Sequence, residues 1–81
     1  MPMKKILNEL MNKVSPKALH NSKWSKVNIR NKEKHFIVTQ VKFNEEQQVI
    51  ACIIEAVMTK NEYSIDWRAL KCKDEWLMGW K

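Results

Sequence analysis

Few side chains in this sequence are suited to catalytic or metal chemistry. His20 and His35 are candidate bases or metal ligands, and Cys52 and Cys72 are candidate thiol ligands or nucleophiles. No two of these four lie at the spacing of roughly two to five residues that structural zinc sites contain. The single glycine, Gly79, rules out a phosphate-binding loop or a dinucleotide-binding glycine motif. We therefore expect no metal, no cofactor and no enzymatic activity.

Positive charge is concentrated in the first half of the chain. Residues 1–42 carry ten basic and two acidic side chains, a formal +8, whereas residues 43–81 carry five basic and seven acidic ones, a formal −2. Such an excess is typical of proteins that bind polyanions. Trp24 lies within the run Lys23-Trp24-Ser25-Lys26, and interleaved aromatic and basic side chains can stack on bases while neutralising phosphates. A solvated surface is an equally good interpretation, because the basic residues are mostly lysines and base readout favours arginine.

The leading prediction is a small basic module that binds single-stranded RNA or DNA. Its predicted site is a set of residues from the basic segment: Lys23, Trp24, Lys26, Arg30, Lys32, Lys34 and His35. The alternative is a protein-interaction module, because four tryptophans in 81 residues is a high content and tryptophan is enriched at interface hot spots. That module would use the cluster Trp67, Trp76 and Trp80 with an amphipathic helix. The expected partners are a nucleic acid or an acidic protein, and the chain is expected to be a monomer or a weak homo-oligomer.

An N-terminal amphipathic helix is predicted over residues 3–14. Apolar residues recur at i, i+1, i+4, i+5 and i+8 from Ile6 to Val14, which places them on one helical stripe. Pro16 ends the helix, because the residue before a proline is disfavoured in the α region. A helix of about three turns is too short to be stable alone in water, so its stripe must dock on the rest of the protein.

An antiparallel meander of about four strands is predicted to follow the helix. The expected strands cover residues 24–29, 35–43, 49–59 and 63–67. The third segment fits a helical or a strand pattern, and six β-branched residues among its eleven favour the strand. Asp74 is expected to cap a short helical turn that Gly79 ends. The predicted fold class is α+β, with an SH3-like or partly open barrel as variants of the sheet.

The cysteines and the apolar runs bear on the cellular compartment. Cys52 lies in an apolar run and is predicted to be buried and unreactive, whereas Cys72 lies between two lysines and is predicted to be accessible. The absence of paired cysteine spacings fits a reducing cytoplasm. The longest apolar run, Val49–Ile54, has six residues, whereas a membrane-spanning helix needs about 20. We therefore expect a cytoplasmic protein that does not insert into membranes.

Five ordered motifs resemble a known protein family. They are Leu19 to Trp24, Lys32 to Thr39, Glu55 to Thr59, Trp67 to Lys71 and Trp76 to Trp80. Together they resemble the small tryptophan-rich protein family of bacteria, a domain of unknown function, over about residues 18–81. The resemblance implies a bacterial cytoplasmic protein and supplies no activity, ligand or catalytic residue. The predicted organisation is one domain, residues 1–81, with the N-terminal helix at 1–17 and a tryptophan-rich sheet domain at 18–81.

Overall fold

The described part of the chain folds into one antiparallel sheet of five strands. The computed structural model describes residues 11–81. The strands are β1 (Lys23–Arg30), β2 (Glu33–Phe43), β3 (Val49–Ala56), β4 (Glu62–Ile65) and β5 (Trp76–Met78). Their order across the sheet is β4-β3-β2-β1-β5, so the first four strands form a meander and β5 returns to pair with β1.

Among residues 11–81, two 3-10 turns lie outside the sheet, at Pro16–Ala18 and at Trp67–Lys71. The second turn begins at Asp66, whose carboxylate accepts a hydrogen bond from the backbone N–H of Arg68 at 3.0 Å. Each turn brings one leucine onto the sheet, and Leu19 and Leu70 are both completely buried. The two turns therefore supply the second layer of a core that the sheet cannot close alone.

One face of the sheet carries the buried core. Trp24 on β1 lies opposite Phe36 on β2, and Phe36 lies opposite Ala56 on β3, so these side chains share a face, here called the inner face. The buried core consists of Leu19, Trp24, Phe36, Val38, Cys52, Ile54, Ala56, Leu70 and Trp76. The molecule measures 43 × 34 × 15 Å, and on the opposite face of the sheet, here called the outer face, Lys23 is exposed and His35 and Glu55 are half-buried.

An irregularity in β2 changes which side chains reach the core. Simple alternation along the strand predicts that Val38 and Val41 lie on opposite faces. The register against β3 shifts between Val38 and Gln40, as at a β-bulge. Val41 therefore packs against the core on the same face as Val38.

The predicted α+β class is wrong. The part of the chain from residue 11 to residue 81 contains no α-helix, and its sheet has five strands instead of about four. The helical turn predicted at residues 74–78 is replaced by β5, because the backbone there pairs with β1 and places Trp76 opposite Lys26. The ambiguous segment at 49–59 is a strand as far as Ala56.

The predicted helix at residues 3–14 lies outside the described residues except for its last four positions. Those positions are not helical, because Met11 forms an isolated antiparallel bridge with Cys72. Asn12 holds the chain there by donating its side-chain amide to the carbonyl oxygens of Leu70 and Trp76, each at 2.8 Å. These pairings draw the backbone into an extended path beside the second 3-10 turn.

The cysteines lie where the sequence predicts. Cys52 is in the core, where burial raises the pKa of its thiol, and Cys72 is exposed. Neither is part of a disulfide. Within residues 11–81, no helix is both long enough and apolar enough to cross a membrane.

A two-residue turn joins β1 to β2 with both residues in the left-handed region. Asn31 has a φ of 54° and Lys32 a φ of 61°, and Arg30 pairs with Glu33 across the turn. This is the geometry of a type I′ hairpin, which favours the sequence Asn-Gly. Lysine at the second position is therefore strained, because its Cβ crowds the backbone at positive φ.

The first prediction concerns Trp24, which is 1% exposed and donates its indole N–H to Ser22 Oγ at 2.8 Å. Trp24→Ala should lower the free energy of unfolding by about 3–5 kcal/mol, because it removes a fully buried aromatic side chain. Urea denaturation followed by far-ultraviolet circular dichroism measures this. Trp80→Ala is the matched control, since Trp80 is 43% exposed and should cost clearly less. Equal losses for the two variants would contradict the burial pattern.

The second prediction concerns the β1–β2 turn. Lys32→Gly should raise the free energy of unfolding by about 0.5–1 kcal/mol, because relief of the positive-φ strain exceeds the extra entropy of glycine in the unfolded chain. Lys34→Gly makes the same chemical change within β2, where it should destabilise. Thermal denaturation of both variants measures the two effects. A loss of stability in Lys32→Gly as large as that in Lys34→Gly would show that the turn carries no strain.

Candidate ligand-binding cleft

A cleft of 330 Å³ opens on the inner face of the sheet. Its lining comes from all five strands and from the β1–β2 turn. The lining residues are Lys26, Asn28, Arg30, Asn31, Glu33, Phe36, Ile54, Tyr63, Ser64, Ile65 and Trp76. The volume is at the lower end of the range of about 300–1,000 Å³ that small-molecule sites occupy.

Strand β1 supplies the polar wall of the cleft. Lys26, Asn28 and Arg30 occupy alternate positions of the strand, so they point to the same side. The left-handed turn at Asn31 and Lys32 then reverses the chain, and Asn31 is also part of the cleft lining. The wall therefore presents two cations with side-chain amides beside them.

Aromatic side chains from three strands form the floor. The ring of Phe36 lies 5.3 Å from the ring of Trp76 at an interplanar angle of 81°, and 6.3 Å from the ring of Tyr63 at 62°. These edge-to-face contacts are favourable for aromatic pairs. Trp76 is on the β5 edge of the sheet and Tyr63 on the β4 edge, so the sheet curls enough for one side chain from each edge to contact Phe36.

A cation lies directly over part of this floor. The Nζ atom of Lys26 is 4.6 Å from the ring centroid of Trp76, within the range of a cation–π interaction. Trp76 is 3% exposed and Phe36 is 5% exposed, whereas Tyr63 is 38% exposed. Tyr63 is therefore the aromatic ring of the cleft that a ligand can reach most easily.

The one carboxylate of the cleft belongs to Glu33, which is 4% exposed. It accepts hydrogen bonds from Thr59 Oγ1, from Asn61 Nδ2 at 3.1 Å and from Tyr63 Oη at 2.6 Å. Thr59 and Asn61 belong to the connection between β3 and β4. The carboxylate thus ties that connection and the Tyr63 ring to the start of β2.

These hydrogen bonds change the acidity of both partners. The hydrogen bond from Thr59 and then that from Tyr63 lower the pKa of the Glu33 carboxyl below its ordinary value, with a smaller contribution from Asn61 and against the opposing effect of burial. The same hydrogen bond to Glu33, followed by partial burial and the nearby negative charge, raises the pKa of the Tyr63 phenol. Glu33 therefore stays ionised and Tyr63 stays a hydrogen-bond donor near neutral pH.

The structure divides the residues predicted to bind nucleic acid between two faces. Lys26 and Arg30 line the cleft, whereas Lys23 and His35 lie on the outer face beside Trp80. Lys32 is exposed in the β1–β2 turn and Lys34 is half-buried in β2.

The role predicted for Trp24 is wrong. Its side chain is 1% exposed and cannot stack on a base, because it occupies the inner face opposite Phe36. Lys23, its neighbour in sequence, points to the other face of the same strand. Adjacent aromatic and basic residues in a strand therefore do not form one surface.

The three tryptophans of the alternative prediction do not form one cluster. Trp76 is buried in the core, and Trp67 is half-buried at the start of the second 3-10 turn with Lys71 Nζ 4.8 Å from its ring centroid. Trp80 lies on the outer face and is 43% exposed. Of the three, only Trp80 presents a large exposed aromatic surface.

Sequence reasoning missed Glu33, Tyr63 and Phe36 as members of a site. The position of Glu33 between Lys32 and Lys34 could have drawn attention to it, because a single acidic residue in a basic segment often has a specific hydrogen-bond partner. Its partners Thr59 and Tyr63 are 26 and 30 residues away, and nothing local in the sequence links them. No group of three or more His, Cys, Asp or Glu side chains suited to holding a metal ion is found among residues 11–81.

Comparison with known protein families gives one finding. The model of a family described as tryptophan-rich protein (DUF2389), a family of unknown function, matches residues 22–81. The chain belongs to this tryptophan-rich family. Neither the curated proteins nor the solved structures yield a significant match. The resemblance drawn from the five sequence motifs is thereby confirmed.

The matched region of this tryptophan-rich family contains the whole cleft. Every lining residue lies between Lys26 and Trp76, and the outer-face residues Lys23, His35 and Trp80 also lie within 22–81. The segment before residue 22, including the first 3-10 turn, lies outside the match. Family membership therefore places both surfaces inside the family's domain and assigns no activity to either.

The third prediction concerns the pH dependence of stability in this tryptophan-rich protein. Because the folded state lowers the pKa of Glu33, its stabilising contribution is complete above the unfolded value of about 4.5 and is lost as the pH falls through the folded value. Stability should therefore fall more steeply with acid in the wild type than in Glu33→Gln. Urea midpoints measured from neutral pH to about pH 3 test this. Glu45→Gln, in the exposed β2–β3 loop, should keep the wild-type profile, and superimposable acid limbs for wild type and Glu33→Gln would contradict the assignment.

Proposed function

We propose that this protein binds single-stranded nucleic acid through the cleft on the inner face. The observation that carries the proposal is the placement of Lys26 and Arg30 on one side of β1, above a floor of Phe36, Tyr63 and Trp76. Single-strand binding proteins combine a cationic groove for the backbone with aromatic rings on which bases stack. The cleft has both parts within one concave surface.

Each wall of the cleft has a role in this proposal. Arg30 and Lys26 neutralise phosphates along the β1 side, and the amides of Asn28 and Asn31 hydrogen-bond to base edges. Tyr63 stacks on a base from the opposite side, since it is 38% exposed. Glu33 repels phosphate, but its three hydrogen-bond donors delocalise and shield its charge, and it fixes the orientation of the Tyr63 ring.

The distribution of charge supports the same ligand class. The segment 1–42 has a formal charge of +8 and supplies both cations of the cleft. A strongly positive segment attracts a polyanion from a distance and speeds its association. Lys32 in the β1–β2 turn lies next to the cleft and extends the positive surface beyond Arg30.

The proposal describes a binding protein of the cytoplasm and not an enzyme. Cys52 and Cys72 are free thiols, as in proteins of a reducing compartment. Ser25, the hydroxyl nearest to a histidine in strand pairing, donates to the Gly79 carbonyl at 2.7 Å and accepts from the Lys81 N–H at 2.8 Å. That hydroxyl therefore holds the C-terminal residues against β1.

The fourth prediction tests the cleft with a short fluorescein-labelled single-stranded RNA and a DNA of the same sequence. Binding measured by fluorescence anisotropy should weaken with salt, with a log–log slope of about −0.7 for each phosphate neutralised. Arg30→Gln should make that slope shallower by about 0.7, because one phosphate contact is lost. Tyr63→Ala should lose about 1–3 kcal/mol of binding free energy, the value of one stacking contact, whereas Tyr63→Phe keeps the ring and should retain most of it.

The matched charge control is Lys17→Gln, in the first 3-10 turn and outside the cleft lining. Circular dichroism should show that all the variants remain folded. No binding by the wild type at about 50 mM salt would refute the proposal. An effect of Lys17→Gln as large as that of Arg30→Gln would also refute it, because binding would then depend on net charge and not on the cleft.

A further inference from the structure

Trp80 gives the outer face a rigid, exposed aromatic surface. The indole is 43% exposed, yet its Nε1 donates to the carbonyl oxygen of Phe36 at 3.0 Å. The Nζ atom of Lys23 lies 4.8 Å from the ring centroid, and the ring of His35 lies at 6.0 Å. A tryptophan that is held in place and still half in water is the kind of side chain that anchors protein interfaces.

One row of outer-face residues crosses four strands from positive to negative charge. The strand register pairs Lys23 with Ile37, Ile37 with Glu55, and Glu55 with Glu62. Neighbouring strands are about 4.8 Å apart, so the lysine and the first glutamate are about 10 Å apart along the sheet. The β1–β2 half of the outer face is therefore basic and carries Trp80, whereas the β3–β4 half is acidic.

The acidic half is unfavourable in a single copy of the chain. Glu55 and Glu62 are directly opposite each other, and like charges in that relation repel. The Nζ atom of Lys60 lies 3.9 Å from the Glu55 carboxylate, but its side chain is 73% exposed, so water screens that pair. A cation supplied by a second molecule would find a favourable position at this end of the row.

We infer that the outer face binds a second copy of this chain as a face-to-face dimer. In this dimer a two-fold axis runs parallel to the strands and passes over Ile37. The row from Lys23 to Glu62 then runs in the opposite direction in the facing copy. Lys23 of each copy then meets Glu55 of the other, as an isologous interface requires. Trp80, which stands above β1 and β2, then packs on the outer surface of β2 and β3 of the other copy, beside the Ile37–Glu55 pair.

The arrangement of charge selects a second copy over an acidic partner. Positive and negative side chains lie in one row of the outer face. An acidic peptide attracted by Lys23 would therefore be repelled by Glu55 and Glu62. A second copy satisfies both halves at once. The dimer lies on the face opposite the cleft, so it goes beyond the proposed nucleic-acid binding and does not depend on it.

The test is sedimentation velocity of the full chain over a range of micromolar to millimolar concentrations. The wild type should dimerise, and added salt should weaken the dimer. Lys23→Glu and Glu55→Lys should each raise the dimer dissociation constant by at least about tenfold, because each places two like-charged pairs in the interface. An equimolar mixture of the two variants should recover dimerisation, since every pair in the mixed dimer again has opposite charges.

Two further variants separate this interface from general effects of charge and folding. Trp80→Ala should weaken the dimer, and Lys17→Glu, which makes the same charge change on the first 3-10 turn, should leave it unchanged. Thermal denaturation confirms that each variant is folded. A wild type that stays monomeric, a mixture that fails to recover, or a Lys17→Glu variant as weak as Lys23→Glu would each overturn the inference.

Discussion

The burial of Trp24 against Phe36 is the interaction on which the rest of the fold depends. The core covers one face of the sheet, and the indole of Trp24 is a completely buried member of it. Its N–H must find a partner once it is out of water, and Ser22 provides one while donating its own hydroxyl to Leu19. The same indole needs a cover, which the two 3-10 turns supply through their leucines. The inner face remains open where the cleft is found.

A lysine side chain lies over each tryptophan other than Trp24. The distance from the lysine Nζ to the ring centroid is 4.6–4.8 Å in all three pairs, which are Trp67 with Lys71, Trp76 with Lys26 and Trp80 with Lys23. The aliphatic part of a lysine shields apolar surface while its ammonium group stays in water. The basic composition therefore has a structural use as well as an electrostatic one.

The sequence predicts the meander, but its predictions for the C-terminal strand and for Trp24 in the site are wrong. The β-branched and aromatic residues, and the polar segments between them, locate β1 to β4. Strand β5 is not predicted, because its three residues form a strand only through their pairing with β1. No local sequence pattern indicates that contact. The candidate cleft depends on contacts of the same kind, since Glu33 and Tyr63 are 30 residues apart. The sequence around Trp24 suggests a surface residue, and only the strand register places it on the inner face.

The pairing of β5 with β1 also determines when the binding surfaces come into existence. Ser25 and Gly79, which that pairing brings together, are 54 residues apart, whereas short turns close the β1–β2 and β2–β3 hairpins. Closing a long loop costs more entropy and slows pairing, so the hairpins form first and β5 docks late. Trp76 and Trp80 take their places at that step, Trp76 in the floor of the cleft and Trp80 on the outer face. A newly made chain consequently displays neither surface until its last strand is in place.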